Sequence, residues 1–176
     1  MTQKRMAATT TVNAPADVIF GVLADPGTHA AIDGTGWVRE PVDAPLLTAP
    51  GQIFRMAMYH DDHPNKHYEM VNRVVVFDPP SAIAWEPGQD AATPGTVLKS
   101  ASGECLAFGG WIWRYDLEAV DPSTTEVVLS YDWSAVPPEY RDIEFPPFER
   151  EHLDNSLRNL ARLAVRAASA SAVPAS

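Results

Sequence analysis

A single cysteine, Cys105, stands in 176 residues, which excludes an intrachain disulfide framework and fits a reducing compartment. Positive charge is also scarce. Thirteen lysines and arginines face 23 aspartates and glutamates, a formal net charge of -10, and that field would repel a phosphate backbone, so no nucleic-acid partner is expected. No apolar run approaches the length of a membrane span, and MTQKRMAATTTV has no apolar signal core. The expectation is a cytoplasmic chain with no integral membrane association. G-x-G-x-x-G, phosphate-loop and G-x-S-x-G patterns are missing too, so nucleotide-cofactor and serine-hydrolase chemistry have no starting point and no cofactor is expected.

The 16 prolines, by contrast, are more than average usage gives, and they fall mostly between periodic segments, where they punctuate. The longest run free of internal Pro and Gly is PFEREHLDNSLRNLARLAVRAA, residues 147 to 168. Phe148, Leu153, Leu157, Leu160, Leu163, Ala164 and Ala167 recur there at helical spacing, with Arg158, Arg162 and Arg166 toward the end where cations suit the dipole. Such a helix is marginal alone and needs a surface to cover.

Strands supply that surface. Thr9 to Val12 favour an extended first strand. A short helix then follows Pro15, with Asp17 near its start and Val18, Ile19, Val22 and Leu23 on its apolar face, until Asp25-Pro26-Gly27 stops it. After a short turn at His29 to Asp33 and an irregular Pro-rich stretch at 40 to 50, the period changes to two. Phe54, Met56 and Met58 share a face, as do Tyr68, Met70, Asn72, Val74 and Val76 on the partner strand. A short strand covers Ala82 to Glu86, a loop 87 to 96, and an irregular strand falls around Glu104 to Phe108. Trp111, Trp113, Tyr115 and Leu117 then pair across DPST with Val127, Leu129, Tyr131 and Trp133 in a hairpin. The whole reads as one α+β domain over residues 1 to 168, with a frayed tail at 169 to 176.

Phe54, Met56, Met58, Tyr68, Met70, Trp85, Trp113, Tyr115, Tyr131 and Trp133 are large for an inward face, and six of them carry a polar group that needs a partner when buried. A bent sheet closed by a helix leaves room for a small-molecule pocket lined by such side chains. The alternative is that they fill the space themselves.

The segments TVNAPADVIFGVLADPGTHAAI, HYEMVNRVVVFDPPSAIAWEP and GWIWRYDLEAVDPSTTEVVLSYDW, followed by the long terminal helix, resemble the START-like SRPBCC superfamily, in particular its polyketide cyclase/dehydrase and lipid-transport group. The specific features are A-P-A-D-V after a first strand, the V-x-x-F-D-P-P turn before I-x-W, and the order of elements. The resemblance implies a helix-grip (START/Bet v 1-like) fold, a curved seven-stranded antiparallel sheet wrapped around the C-terminal helix with a cavity between them. It implies frame more than reaction, since the group includes passive carriers as well as aromatic polyketide cyclases. The partner expected is therefore a hydrophobic or aromatic small molecule, lipid or polyketide-like, held by the ten residues above. A cyclase or dehydratase in the same cavity and a protein-interaction module with a filled core are the alternatives. A homodimer is compatible with the sequence, which supplies no seam for one.

Three residues are candidates for acid and base chemistry. His60 shares the parity of Met56 and Met58, His29 stands four residues before Asp33, which could orient its imidazole, and Glu104 would titrate high if it faced inward. His152 and Asn155 face either the cavity edge or ordinary packing. Cys105 reads as a small buried hydrophobe. The cluster His60, Asp61, Asp62, His63 and His67 lies in a hairpin turn without a metal-binding helix motif, so it reads as a solvated turn and no metal is expected.

Overall fold

Among the described residues, alternating apolar and polar residues form eight strands, β1 (Arg5–Val12), β2 (Val38–Asp43), β3 (Ile53–Tyr59), β4 (His67–Asp78), β5 (Ala82–Asp90), β6 (Leu106–Phe108), β7 (Ile112–Asp121) and β8 (Thr124–Asp132). Three α-helices accompany them among the described residues, α1 (Ala16–Leu23), α2 (His29–Asp33) and α3 (Arg150–Ser171). The computed structural model describes residues 3–92, 98, 104–140 and 142–171. Parts of the expected 87 to 96 loop, of the approach to Glu104 and of the tail lie outside the described residues.

The sheet runs β1-β8-β7-β5-β4-β3-β2 with every pairing antiparallel. Seven strands form this path and β6 adds an eighth beside β5. The extra strand exists because β5 is longer than its sequence suggests. It continues through Pro87 and Gly88 to Asp90, with Ala82 to Trp85 paired to β7 and Gly88 to Asp90 paired to β6. Gly88 permits this crossing, since a Cβ there would lie 2.4 Å from the Ala107 carbonyl and 2.6 Å from the Phe108 ring. A register shift between Val74 and Val76 accompanies the β4–β5 pairing, the kind of irregularity that bends a strand.

β2 occupies part of the stretch expected to be irregular. It is an edge strand, paired to β3 with two register shifts around Pro41, a position where a proline removes no essential ladder bond. At the other end, α3 begins at Arg150 rather than Pro147 and runs to Ser171 rather than ending at 168. Pro146 and Pro147 keep the chain out of the helix, whereas the small residues after Ala168 set no barrier to another turn.

α3 packs on β1, α1 and α2. Leu153, Leu157, Leu160 and Ala164 are fully buried against Val12, Ile19, Leu23, Ile32 and Leu129, while Arg158, Arg162 and Arg166 are exposed on the other side. Each fully buried leucine contributes about 1.5 to 3 kcal/mol. α1 adds Phe20, edge-on to Phe77 at 5.2 Å. This core occupies part of the interval between helix and sheet, and the remainder is a cavity.

Candidate functional site

The cavity has a volume of about 310 Å³ and its walls follow from strand register. Met58 pairs with Tyr68, Met56 with Met70 and Phe54 with Asn72 across β3 and β4. Asn72 then pairs with Pro87, Trp85 with Trp113, and Trp113 with Tyr131 across β5, β7 and β8. All of these face the cavity, as does Tyr115. One side of the sheet thus makes the floor. Ile32 and Asp33 of α2, Trp37, Phe148, and His152 and Ser156 of α3 close it from the helix side.

The rings are packed against one another. His29 stacks on Trp85 at 4.8 Å, Trp113 stacks on Phe148 at 5.3 Å, and Tyr131 stands edge-on to Phe148 at 5.0 Å. Trp37 lies 4.8 Å from His60 and 6.0 Å from His152. Such faces stack a planar apolar guest well.

Polar groups interrupt this lining at a few points. Tyr115 and Tyr131 are buried, and burial raises both phenols well above their ordinary value, with the Asp33 charge adding to the effect at Tyr115. Tyr68 is shifted the same way for the same two reasons. None of these hydroxyls, nor the Asn72 amide, has a hydrogen-bond partner among the described residues. They are donors held in the protonated form, available to a guest.

Asp33 and His152 form the most polar part of the wall. The His152 Nε2 lies 3.7 Å from Asp33 Oδ1, and each side chain is 10% exposed. Burial lowers the His152 pKa and the Asp33 charge partly opposes this. Asp33 Oδ2 accepts the backbone N–H of Thr35 at 3.1 Å and of Val38 at 3.4 Å, together with the Thr35 hydroxyl. This turn fixes the carboxylate.

Nine of the ten large residues expected to face inward line the cavity, but Trp133 does not; it packs against Tyr131 at 5.8 Å outside the lining. His60 and His29 are both on the wall. His29, however, is not oriented by Asp33. Its Nε2 bonds the Leu23 carbonyl at 2.8 Å and Asp33 turns to His152 instead, because the backbone carbonyl ending α1 lies nearer than a side chain one turn on. Glu104 is exposed ahead of β6 and off the lining, and Cys105 is exposed rather than buried. Both precede the strand that would have turned one of them inward. In the turn between β3 and β4, His60 and His63 accept the backbone N–H of Asp62 and Asn65. Among the described residues no three His, Cys, Asp or Glu side chains converge as a metal-binding group.

Some lining residues were legible and passed over. Asn72 has the parity of Tyr68 and Met70, and Trp111 that of Trp113. Trp37 and the Asp33–His152 pairing had no such signal, being set by how α2 and α3 pack.

No protein-family model matches the chain. Two uncharacterized proteins of Mycobacterium tuberculosis are similar to it. One of them, MT0096, is 27% identical over 131 residues, covering 74% of this chain and 48% of its own length. The other, Rv0088 of strain H37Rv, is 26% identical with the same coverage. The chain therefore spans about half the length of the curated relatives it matches. Among solved structures, norcoclaurine synthase from Thalictrum flavum, in complex with dopamine and hydroxybenzaldehyde, superposes with a TM-score of 0.60 at 15% identity over 93% of this chain and 87% of the other. The Zhui aromatase/cyclase from Streptomyces sp. R1128 does so at 0.54 and 20% over 96% of each chain, and MLL2253 from Mesorhizobium loti at 0.58 and 13% over 92% and 97%. In architecture and in these likenesses, the chain has the helix-grip fold of the START/Bet v 1-like SRPBCC proteins.

Proposed function

We propose that the protein binds a hydrophobic or aromatic small molecule, lipid or polyketide-like, in the cavity between sheet and helix. The observation that supports this is the lining itself. Phe54, Met56, Met58, Met70, Trp85 and Trp113 present apolar faces, while Tyr68, Tyr115, Tyr131 and Asn72 offer polar groups with no partner among the described residues. A filled core would have consumed both. Apolar walls with a few convergent donors bury a guest and fix its orientation.

Four of the five tryptophans line the cavity, so intrinsic fluorescence reports its occupancy. The purified protein is exposed to an extract of small molecules, analysed by native mass spectrometry, and the released compound is titrated back against tryptophan emission. A stoichiometric apolar adduct that changes the emission is the expected result. Unliganded mass throughout, with emission indifferent to every aromatic and lipid tested, rejects the reading in favour of a filled core.

A second reading, turnover by acid and base chemistry as in a cyclase or dehydratase, is favoured by the placement of His152 Nε2 3.7 Å from Asp33 Oδ1 on the cavity wall. His60 and His29 are the other imidazoles on the wall. Time-dependent loss of water from the bound compound would distinguish it from passive carriage.

A further inference from the structure

The tip of the β3–β4 hairpin, His60 to His67, carries three of the chain's five histidines, and two of them are built into its backbone. The tip folds as two successive turns. The N–H of His63 donates to the His60 carbonyl at 3.1 Å, that of Lys66 to the His63 carbonyl at 2.9 Å, and that of His60 closes the loop on the Lys66 carbonyl at 2.9 Å. Each turn opens on a histidine whose Nδ1 accepts the backbone N–H two residues on, Asp62 to His60 at 3.1 Å and Asn65 to His63 at 3.2 Å. An Asn or Asp oxygen takes that position in an Asx-turn. A backbone N–H can only donate, so both Nδ1 atoms are unprotonated in this fold. Lys66 ends the loop at a φ of +57°, a left-handed conformation that persists only where surrounding bonds impose it.

The same two rings cover the edge of the cavity. His60 lies on the wall with its centroid 4.8 Å from Trp37, and His63 stacks on Tyr68 at 4.1 Å. Trp37 and Tyr68 both line the cavity, so the order of the tip and the closure of the wall depend on the same imidazoles.

We infer that the tip is a proton-operated clasp on the cavity: neutral His60 and His63 hold both turns closed, and their protonation in acid releases the tip and speeds passage of a guest. The inference rests on the cavity being a ligand site. An imidazolium carries hydrogen on both ring nitrogens and has no lone pair for Asp62 or Asn65, so the proton and the turn bond exclude each other. Asp61 and Asp62 in the tip favour the charged form, while Lys66, and Arg39 of β2 lying over Tyr59, oppose it. His67 stands edge-on to Tyr59 at 5.0 Å, and its ring ties no turn among the described residues. From the helix side, Asp33 and His152 approach this end of the wall through Tyr68 and Trp37. The faces of Trp37 and Tyr68 attract an imidazolium too. Protonation therefore leaves the rings near the wall and unties the backbone between them.

N-phenyl-1-naphthylamine, an apolar fluorophore whose charge does not change over the imidazole range, is the probe. Its release from the protein is followed by stopped flow at about pH 8 and about pH 5.5, either side of the range in which imidazoles gain their proton. The wild type is expected to release it about tenfold faster at the lower pH, the effect of losing two turn bonds, with near-UV circular dichroism showing the protein still folded. His60→Asn combined with His63→Asn supplies both turns with an amide oxygen that does not titrate, and its release rate is expected to change by less than about twofold.

Equal wild-type rates at both pH values overturn the inference and leave the cavity reading standing. An acid rise that persists in the folded double variant overturns it as well and assigns the effect to His29 or His152. Failure of the probe to bind at either pH rejects the inference and the cavity reading together. If the double variant does not fold, His63→Asn alone, whose ring is off the lining, is expected to cut the rise to about threefold; an undiminished rise there overturns the inference.

Discussion

His29 is held as a neutral ring. It is buried, its Nε2 donates to the Leu23 carbonyl at 2.8 Å, and it stacks on Trp85. Burial lowers its pKa below the ordinary 6.5, opposed in part by the Leu23 carbonyl and by the charge of Asp25. The unfolded chain therefore binds more protons than the folded one once the pH falls below 6.5. Stability present above that value declines as the pH drops toward the folded-state pKa, and His152, lowered by burial despite Asp33, acts in the same direction. Calorimetry across this range is expected to show a Tm that is level above pH 6.5 and falls below it, with a shallower fall in His29→Gln, whose amide still donates to Leu23. An unchanged slope in that variant would assign the fall to other groups. At this scale the sequence is a partial guide. The spacing of His29 and Asp33 correctly puts both near one short helix, yet each bonds elsewhere, because a side chain's partner is whatever tertiary packing brings within reach.

At the level of elements, α2 sets the site and Gly34 ends α2. Its φ is +70°, and a Cβ there would meet the Asn159 amide nitrogen at 2.6 Å. That nitrogen donates to the Ile32 carbonyl at 3.1 Å, tying α3 to the end of α2. Gly34→Ala is expected to cost about 1 to 3 kcal/mol through the left-handed backbone and the displaced bond, as read by urea denaturation. Since Asp33 is the preceding residue, ligand affinity should fall with it. Leu157→Ala removes a side chain 1% exposed at the centre of the α3 contact and should cost about 2 to 5 kcal/mol. A loss below 1 kcal/mol would mean that the site collapses around the gap. The β7–β8 hairpin was legible because two runs of strict alternation flank DPST. β5 was not, because Pro87 and Gly88 read as a stop, while the close passage of β6 makes Gly88 a requirement of the strand.

For the molecule as a whole, the interval between sheet and helix is only partly filled, and occupancy becomes a stability effect. A ligand present at about 100 times its Kd should stabilise the fold by about 2.7 kcal/mol, seen as an upward thermal shift. Met58→Trp, which places a larger ring on the wall beside Tyr68, should abolish that shift while the unliganded variant stays folded. A retained shift would place the guest elsewhere. The same void explains why bulky residues on the floor coexist with a core of leucine, valine and isoleucine. One end of the interval is packed for stability, and the other is left open.

Alternation in β3, β4, β7 and β8 and the helical stripe of α3 determined which face of each element turns inward, and hence nearly all of the aromatic floor. That information is local, since side-chain direction repeats every two residues in a strand and every 3.6 in a helix. Whether the inward side chains would meet or leave a space, and which polar groups would face one another across it, depends on how far α2 and α3 stand from the sheet. The Asp33–His152 pair and the 310 Å³ of the cavity were therefore decided by tertiary packing alone.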